Sequence, residues 1–587
     1  MSEIIQYIPY LIIPVLLAYP LGKYISQLID DDSKLMLKFR PVERSIWRFL
    51  RLDVSEMNWK KYVAAVFVFS GAGFILLMLI LMFQNVLPLN PQHLPGMSFA
   101  LAFNTAASFL TNTNWQSYSG EVTLSPFAQI VGLTVQNFLA AAVGIAVLFA
   151  LMRGLKKASS QTIGNFWKDI IRIMVYLLVP LSLVTSLALV ACGVPQSLSG
   201  SKEVKLVQPV AVDKNGQAIL NAKIDVKKQE VTVDGKKVKD AQILTKQHIP
   251  LYAQASQVAI KQLGTNGGGV LGTNAAHPFE NPNIISNLIE VTAMILIPIS
   301  LCFAFGNYLG KKKEGYVLFL TMALLFIVGL AISAWAESKG HVVSGIGNLN
   351  LEGKETRFGI ASSVIFAVVT TATSCGAVNA AMDSMSALAA MIPMMFIQLG
   401  EVVFGGVGSG LYGMLGFVLL TVFIASLMVG RTPEYLGKKI GPKEMKMAIL
   451  ACLATPLAIL IGSGLVAVLP NVTASLTNNG AHGFSEFLYA FSSAGGNNGS
   501  AFAGFMPSAT LNVILGLVML LARYLSIFGI LAIAGSMCKQ KITPASSGTL
   551  TTTNTTFVIL LIIVIFIIGV LSFFPALALG PIADFLS

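Results

Sequence analysis

Charge is what this 587-residue chain has least of, since Asp, Glu, Lys and Arg together make up only 11% of it. A soluble domain carries roughly 25%, so a water-facing globular fold is excluded, and the 55% hydrophobic content points to the bilayer. Cysteine is scarce as well. Cys192, Cys302, Cys375, Cys452 and Cys538 are scattered, mostly inside apolar runs and without metal-ligand spacing, which argues against a disulfide framework or a zinc site. There is no Walker A run, no Asp-Lys-Thr-Gly phosphorylation sequence and no soluble stretch long enough for a nucleotide-binding domain, so ATP chemistry is excluded for the chain by itself. An intramembrane His-Glu-x-x-His or paired-Asp set is also missing, which removes the polytopic membrane enzyme. The formal charge of +12 would suggest nucleic acid in a soluble protein. Here the lysines and arginines sit mostly in short connections between apolar runs, so they read as membrane topology, with no nucleic-acid partner.

What is present is a series of long apolar segments. Runs of about 20 residues suffice to cross a bilayer, and ten occur, at roughly 4–29, 62–86, 123–152, 170–193, 285–310, 316–336, 387–430, 447–469, 511–537 and 556–580. The first begins without a basic leader or a small-residue cleavage site, and reads as a retained membrane helix. Basic residues mark the odd connections: Lys34 to Lys61 in the first, Arg153 to Lys168 in the third, Lys311 to Lys313 in the fifth, Arg431 to Lys443 in the seventh, and Lys539 and Lys541 in the ninth. Residues 87–122 and 470–508 have none. The odd connections are therefore expected to be cytoplasmic and both termini outside, in a multi-pass plasma-membrane protein.

The even connections repeat a pattern. Each holds a semi-apolar segment too short to span (98–111, 253–264, 358–373, 483–494), followed by a loop of small polar residues. The loops are Thr111-Asn112-Thr113-Asn114, Gly264-Thr265-Asn266-Gly267 with Gly268 and Gly269, Thr373-Ser374-Cys375-Gly376, and Asn497-Asn498-Gly499-Ser500. Irregular backbone at membrane depth must line protein or water. Four such loops read as one pore lining made four times, with rings of backbone carbonyls replacing the hydration shell of a monovalent cation. Gly267, Gly376 and Gly499 suit the turning points because glycine accepts positive φ, and Asn114 is the next most tolerant type. Cys375 reads as small-residue packing, and Gln116 as a brace for the filter.

The expected fold is thus an all-α integral membrane protein with ten transmembrane helices. It comprises four membrane–pore–membrane repeats (62–169, 170–315, 316–446, 447–541) plus an extra helix at each end, in segments 1–61 and 542–587. An outer polar insertion at 197–250 carries a β-hairpin around Asp234-Gly235. The seventh segment contains Gly405, Gly406, Gly408 and Gly410 near its middle. It reads either as small-residue packing or, better for its length, as a broken helix that gates the filter. Glu401, an intramembrane acid, is a functional candidate, and Arg523 in the ninth helix reads as a pore-side cation that resists direct passage.

Several stretches together resemble one family. TNTNWQSYS (111–119), GTNGGG (264–269), HPFENP (277–282), SCGA (374–377), GEVVFGGVGSGLYG (400–413), GRTPEYLGKK (430–439) and NNGSAFAG (497–504) resemble the potassium-binding, channel-like subunit of the Kdp-type potassium-importing ATPases of bacteria and archaea. The resemblance covers nearly the whole chain. It implies the fold of the potassium-transporter superfamily, K+ as transported ion with no covalently bound cofactor, and a filter at the four loops. It also implies a blocking loop at Gly405 to Gly410, a pore arginine at Arg523, and sideways transfer of the ion to a P-type ATPase partner assembled with small accessory membrane subunits. Loop four (Ala494-Gly495-Gly496 before Asn497) and the length of the insertion depart from the family pattern. A stand-alone channel or ion-coupled symporter of the same superfamily is the competing reading.

Overall fold

The computed structural model describes residues 2–214, 216–339, 350–400, 402–469, 472–502, 504–544 and 549–586. Nine helices among them are long and apolar enough to cross a membrane, and ten if the bent pair Thr555–Gly569 and Leu571–Leu586 counts as one span. The first, Ser2–Ile29, stands outside the repeats. The repeats follow in order. The first is Trp59–Met82, pore helix Phe99–Leu110 and span Ala128–Lys156. The second is Phe166–Cys192, pore helix Gln254–Leu263 and span Ile284–Leu309. The third is Lys312–Ser338, pore helix Gly359–Ala372 and a broken segment; the fourth is Pro442–Ala467, pore helix Gly480–Gly495 and span Ala509–Met537.

Burial separates the inner from the outer helices. In their most apolar stretches, Ala128–Lys156 and Ile284–Leu309 are 89% and 83% buried, against 28% and 33% for the helices that open the same repeats. The second helix of each of these repeats therefore surrounds the axis, and the first faces lipid. Several helix starts are capped by Asn or Ser, though Ser98 and Asn479, which precede pore helices, make no such bond. Asn58, Asn165, Asn283, Ser508 and Asn554 each accept a backbone N–H of the first turn, satisfying donors that would otherwise be unpaired at the membrane face.

The charged connections carry structure that hydropathy does not show. Lys34–Phe49, within the first basic connection, is an amphipathic helix outside the spans. Its buried Glu43 accepts from Arg172 Nε and Nη2 at 2.6 and 2.9 Å. Asp31 faces Arg172 and Lys168, both at 2.6 Å. Burial would raise its carboxyl, but the two cations outweigh that and hold it at about 2. Arg153 makes a bidentate pair with fully buried Asp169, 2.7 Å on both arms, and Tyr62 donates to the same carboxylate at 2.8 Å. In the GRTPEYLGKK connection, Lys438 donates to the carbonyls of Gly154 (2.8 Å), Met537 (2.9 Å) and Lys157. It thereby closes the C-terminal ends of two spans, where a cation opposes the helix dipole favourably. Burial lowers its ammonium to about 8.

The insertion carries most of the β-structure among the described residues; a short pair, Glu434–Tyr435 with Lys438–Lys439, lies in the GRTPEYLGKK connection. Ser201–Val212 pairs antiparallel with Gln242–Pro250. Glu230–Val233 and Lys236–Lys237 form the expected hairpin, with Asp234 and Gly235 both at positive φ, as a two-residue I′ turn requires. The seventh apolar segment is broken: Ala387–Gln398 and Ser409–Met428 are separate helices. The break begins at Leu399, earlier than the glycine run, and Gly410 lies in the first turn of the second helix instead of in the loop.

Candidate functional site

Each pore helix ends two residues before a triplet that bears the same backbone signature. The triplets are Asn112-Thr113-Asn114, Thr265-Asn266-Gly267, Ser374-Cys375-Gly376 and Asn497-Asn498-Gly499. In each, the first and third residues have positive φ and the middle one does not: 66° and 54°, 49° and 89°, 54° and 92°, 52° and 97°. Reading the sequence located one turning residue per loop; the structure has two. Thr265 is the least expected, because a β-branched side chain is poorly suited to φ of 49°.

The hydrogen bonds repeat with equal regularity. The middle N–H donates to a carbonyl five residues back: Thr113 to Ser108 (2.9 Å), Asn266 to Lys261 (2.7 Å), Cys375 to Thr370 (2.8 Å) and Asn498 to Ser493 (2.9 Å). The third residue's N–H turns to the same partner. It reaches the carbonyl of Ser108 (3.1 Å) or Lys261 (3.2 Å), and the hydroxyl of Thr370 or Ser493 (both 2.9 Å). With the donors folded back onto the pore helix, the carbonyls of Thr113, Asn266, Cys375 and Asn498 accept no hydrogen bond among the described residues. Buried backbone carbonyls are nearly always partnered, and these four lie at equivalent positions of the four loops. Ser108, Lys261, Thr370 and Ser493 were not singled out from the sequence; their common offset from the triplets is the signal that could have found them.

The triplets close into a ring. A Cβ on Gly267 would run into the Cys375 carbonyl, one on Gly376 into that of Asn498, and one on Gly499 into that of Thr113. The circuit is completed where a Cβ on Gly268 would lie 2.8 Å from Cβ of Asn114. Side chains stitch the same neighbours. Asn112 Nδ2 donates to the carbonyls of Gly264 (3.0 Å) and Thr265 (2.8 Å), and Asn266 Nδ2 to Asn112 Oδ1 (2.5 Å). Ser374 Oγ donates to the Gly496 carbonyl (3.0 Å), and Asn497 Nδ2 to Thr113 Oγ1 (3.0 Å). Gln116 spans loops one and two by a reciprocal pair with Gly269, Nε2 to carbonyl and N–H to Oε1, both 3.0 Å. No triplet contains a charged residue.

Two buried acids stand behind the ring. Lys261 pairs with Glu280 of the HPFENP stretch, both shielded from solvent. Glu290 Oε2 accepts from Gln262 Nε2 at 2.7 Å. Cys375 does more than pack: its thiol donates to Gln262 Oε1 at 3.1 Å.

The break in the seventh segment lies against this ring. Gly405 N–H donates to the Ala372 carbonyl at 2.8 Å, and Val407 N–H to Thr265 Oγ1 at 3.0 Å. Gly408, at φ 87°, abuts the Gly144 carbonyl closely enough that a Cβ there would overlap it. Val402, Val403, Phe404 and Val407 are buried. Arg523 is buried beside Gly144. With Gly400, Ser409, Tyr412, Thr455 and Asn497 it lines a small cavity of about 30 Å³. The structure thus brings together the four triplets, Gln116, the interrupting loop and Arg523. Glu401 lies outside the described residues.

The "Potassium-transporting ATPase potassium-binding subunit" of Clostridium botulinum (strain Alaska E43 / Type E3) is 51% identical over 599 residues, 100% of this chain and 99% of the relative. That of Clostridium perfringens is 52% identical over 601 residues, with the same coverage. Among solved structures, the potassium transporter TrkH from Vibrio parahaemolyticus aligns at 13% identity and a TM-score of 0.48, over 78% of this chain and 83% of that one. The family described as "Potassium-transporting ATPase A subunit" matches residues 8–586, and the chain belongs to that family.

Proposed function

We propose that the chain is the potassium-binding and translocating subunit of an ATP-driven potassium importer. It takes K+ from the outside into the ring of four triplets and passes it to a P-type ATPase partner, assembled with small accessory membrane subunits in a bacterial or archaeal inner membrane. The observation that carries this reading is the fourfold backbone pattern, which turns the N–H groups away and leaves four equivalent carbonyls without a hydrogen bond among the described residues. Such carbonyls replace the water shell of a monovalent cation without burying a fixed anion. Each pore helix points its C-terminal end at the ring, adding roughly half a negative charge apiece. Asn112, Thr113, Asn114, Thr265, Asn266, Gly267, Ser374, Cys375, Gly376, Asn497, Asn498 and Gly499 form the filter in this account, and Gln116 braces it.

The interrupting loop sits against the filter and obstructs a straight path, and Arg523 adds a fixed cation beside it. The ion therefore leaves sideways toward the partner. Both termini lie outside, and the four repeats divide at 62–169, 170–315, 316–446 and 447–541. Replacing Gly267 by Asp in the assembled complex puts a carboxylate into the ring and is expected to lower potassium-over-rubidium selectivity in transport. Unchanged selectivity removes the filter assignment.

A further inference from the structure

Three of the four triplets end on glycine, and loop one ends on Asn114. All four of these residues have positive φ, 54° at Asn114 against 89°, 92° and 97° at Gly267, Gly376 and Gly499. Glycine takes such a conformation at no steric cost, whereas a side chain does better there with a local hydrogen bond to hold it. Asn114 has one: its Nδ2 donates to Oδ1 of Asn137 at 2.6 Å. Both residues are buried, and among the described residues Asn114 Oδ1 and Asn137 Nδ2 have no partner. The two side chains are therefore tied only to each other. A primary amide has a donor end and an acceptor end, so the pair bonds whichever way round the two amides lie.

Asn137 is aimed at the loops by an irregularity in its own helix. The span Ala128–Lys156 opens with a π-helical turn, Ala128–Thr134; such turns insert one residue into an α-helix and recur at functional sites. Gln129, within that turn, accepts from Gln257 of the second pore helix at 3.1 Å. In an unbroken α-helix Asn137, eight residues on, would point about 80° away from Gln129; the inserted residue reduces this to about 20°. Both amides thus face the pore loops, and the Asn137 carbonyl also accepts from Asn266 Nδ2 of loop two at 3.3 Å.

The conformation of Asn114 reaches the ring through one peptide plane. The Thr113 carbonyl and the Asn114 N–H belong to the same rigid unit, so a change of φ at residue 114 swings that carbonyl. The same oxygen abuts Gly499 of loop four, and the disturbance does not stay in loop one.

We infer that Asn137 is a positioning residue for ion selection: it holds Asn114 in the conformation that glycine supplies in the other three loops, and with it the carbonyl of Thr113. The inference rests on the filter reading above. It is tested in the complete ATPase complex by placing Asn137→Leu in two backgrounds, the wild type and Asn114→Gly. Leucine keeps the branched shape and removes the partner of the Asn114 amide. In the wild-type background it is expected to raise the apparent KM for K+ about tenfold, the equivalent of one buried polar group left unpaired, with kcat within about twofold. Rubidium-to-potassium activation ratios should move toward one. Glycine at 114 has neither an amide to satisfy nor a side chain to hold, so in that background the same substitution should move KM by less than about twofold. Asn137→Ala, which adds no bulk, is read in parallel and should follow the same pattern. An unmoved KM and ratio in the wild-type background, a fall in kcat alone, equal shifts in both backgrounds, or failure of both Asn137 variants to assemble would each overturn the inference. Gly267→Asp separates the two readings. Unchanged selectivity there defeats the filter reading and this inference with it, whereas lowered selectivity beside an unmoved Asn137→Leu defeats this inference alone.

Discussion

Gly376→Ala adds a single methyl group to the ring, and the structure says where it goes. At φ 92° the backbone of residue 376 is in a region that L side chains rarely adopt; strain there is about 1–3 kcal/mol. The new Cβ would also overlap the Asn498 carbonyl oxygen of loop four. That oxygen is backbone and cannot rotate away, so relief requires a shift of one loop against the other, at about 1–3 kcal/mol for overpacking. If only 2 kcal/mol of this total is withdrawn from ion binding, affinity falls about 30-fold. Gly235→Ala is the control. It too has positive φ, 77°, but lies in the outer hairpin with open space where the Cβ would stand. The assay is K+-activated ATP hydrolysis by the assembled complex, read as the potassium concentration for half-activation. Gly376→Ala should move that concentration by an order of magnitude or more, and Gly235→Ala should leave it in place. An assembled Gly376→Ala complex within threefold of wild type would refute the packing argument.

Other predictions follow from the same contacts. Arg523→Gln should loosen coupling between ATP hydrolysis and uptake in liposomes, because two unit charges about 6 Å apart repel by roughly 3 kcal/mol at an effective dielectric of about 20; deleting Gly406 to Gly408 should give a larger, ATP-independent leak, and tight coupling in both would return the channel or symporter reading. Asp169→Asn leaves Arg153 buried without its charge partner and should cost about 3–5 kcal/mol, seen as a lower melting temperature of the purified chain; no change would show the pair to be dispensable. His482 is held between Asp383 (2.9 Å) and Asp584 (2.7 Å), with Asn478 linking Asp383 to Glu486. The hydrogen bond to Asp383 is the main cause, against burial and with help from Asp584, that raises its imidazole from 6.5 to about 9. A raised base stabilises fully below its unfolded value, so this contribution should be present up to about pH 6.5 and disappear as pH rises through about 9. A melting-temperature difference between wild type and His482→Gln that ignores pH would contradict it. The isolated chain should hydrolyse no ATP, and a robust rate without partners would show a site that the sequence does not contain.

The membrane architecture was legible because it is written in long apolar runs and in the polar interruptions between them. The four pore loops were legible for the same reason: small polar residues such as Asn112 and Asn498 have no other business at bilayer depth. Half of the backbone signature was not. Glycine announces Gly267, Gly376 and Gly499, but Thr265, Ser374 and Asn497 stand at positive φ where the N–H groups of the two residues after each fold back onto the pore helix, which no propensity reports. The link from Glu290 to Cys375 was hidden because its members lie on three elements, one of them inside an apolar run. The amphipathic helix Lys34–Phe49 was hidden behind its own lysines and arginines, which make the stretch too polar to stand out as an apolar run. The interrupted seventh segment showed in its glycines, yet the break starts at Leu399, since Gly410 can serve the helix that follows once it packs against the Phe404 carbonyl.

The account stands or falls on whether a dehydrated potassium-like ion occupies the ring. The direct measurement is the anomalous scattering of thallium(I), a potassium substitute, in crystals of the assembled complex. The account predicts a peak on the axis between the carbonyls of Thr113, Asn266, Cys375 and Asn498, lost in the Gly267→Asp complex or displaced toward the new carboxylate. A complex that is activated by the same ion, yet shows no peak among those four carbonyls, would contradict it.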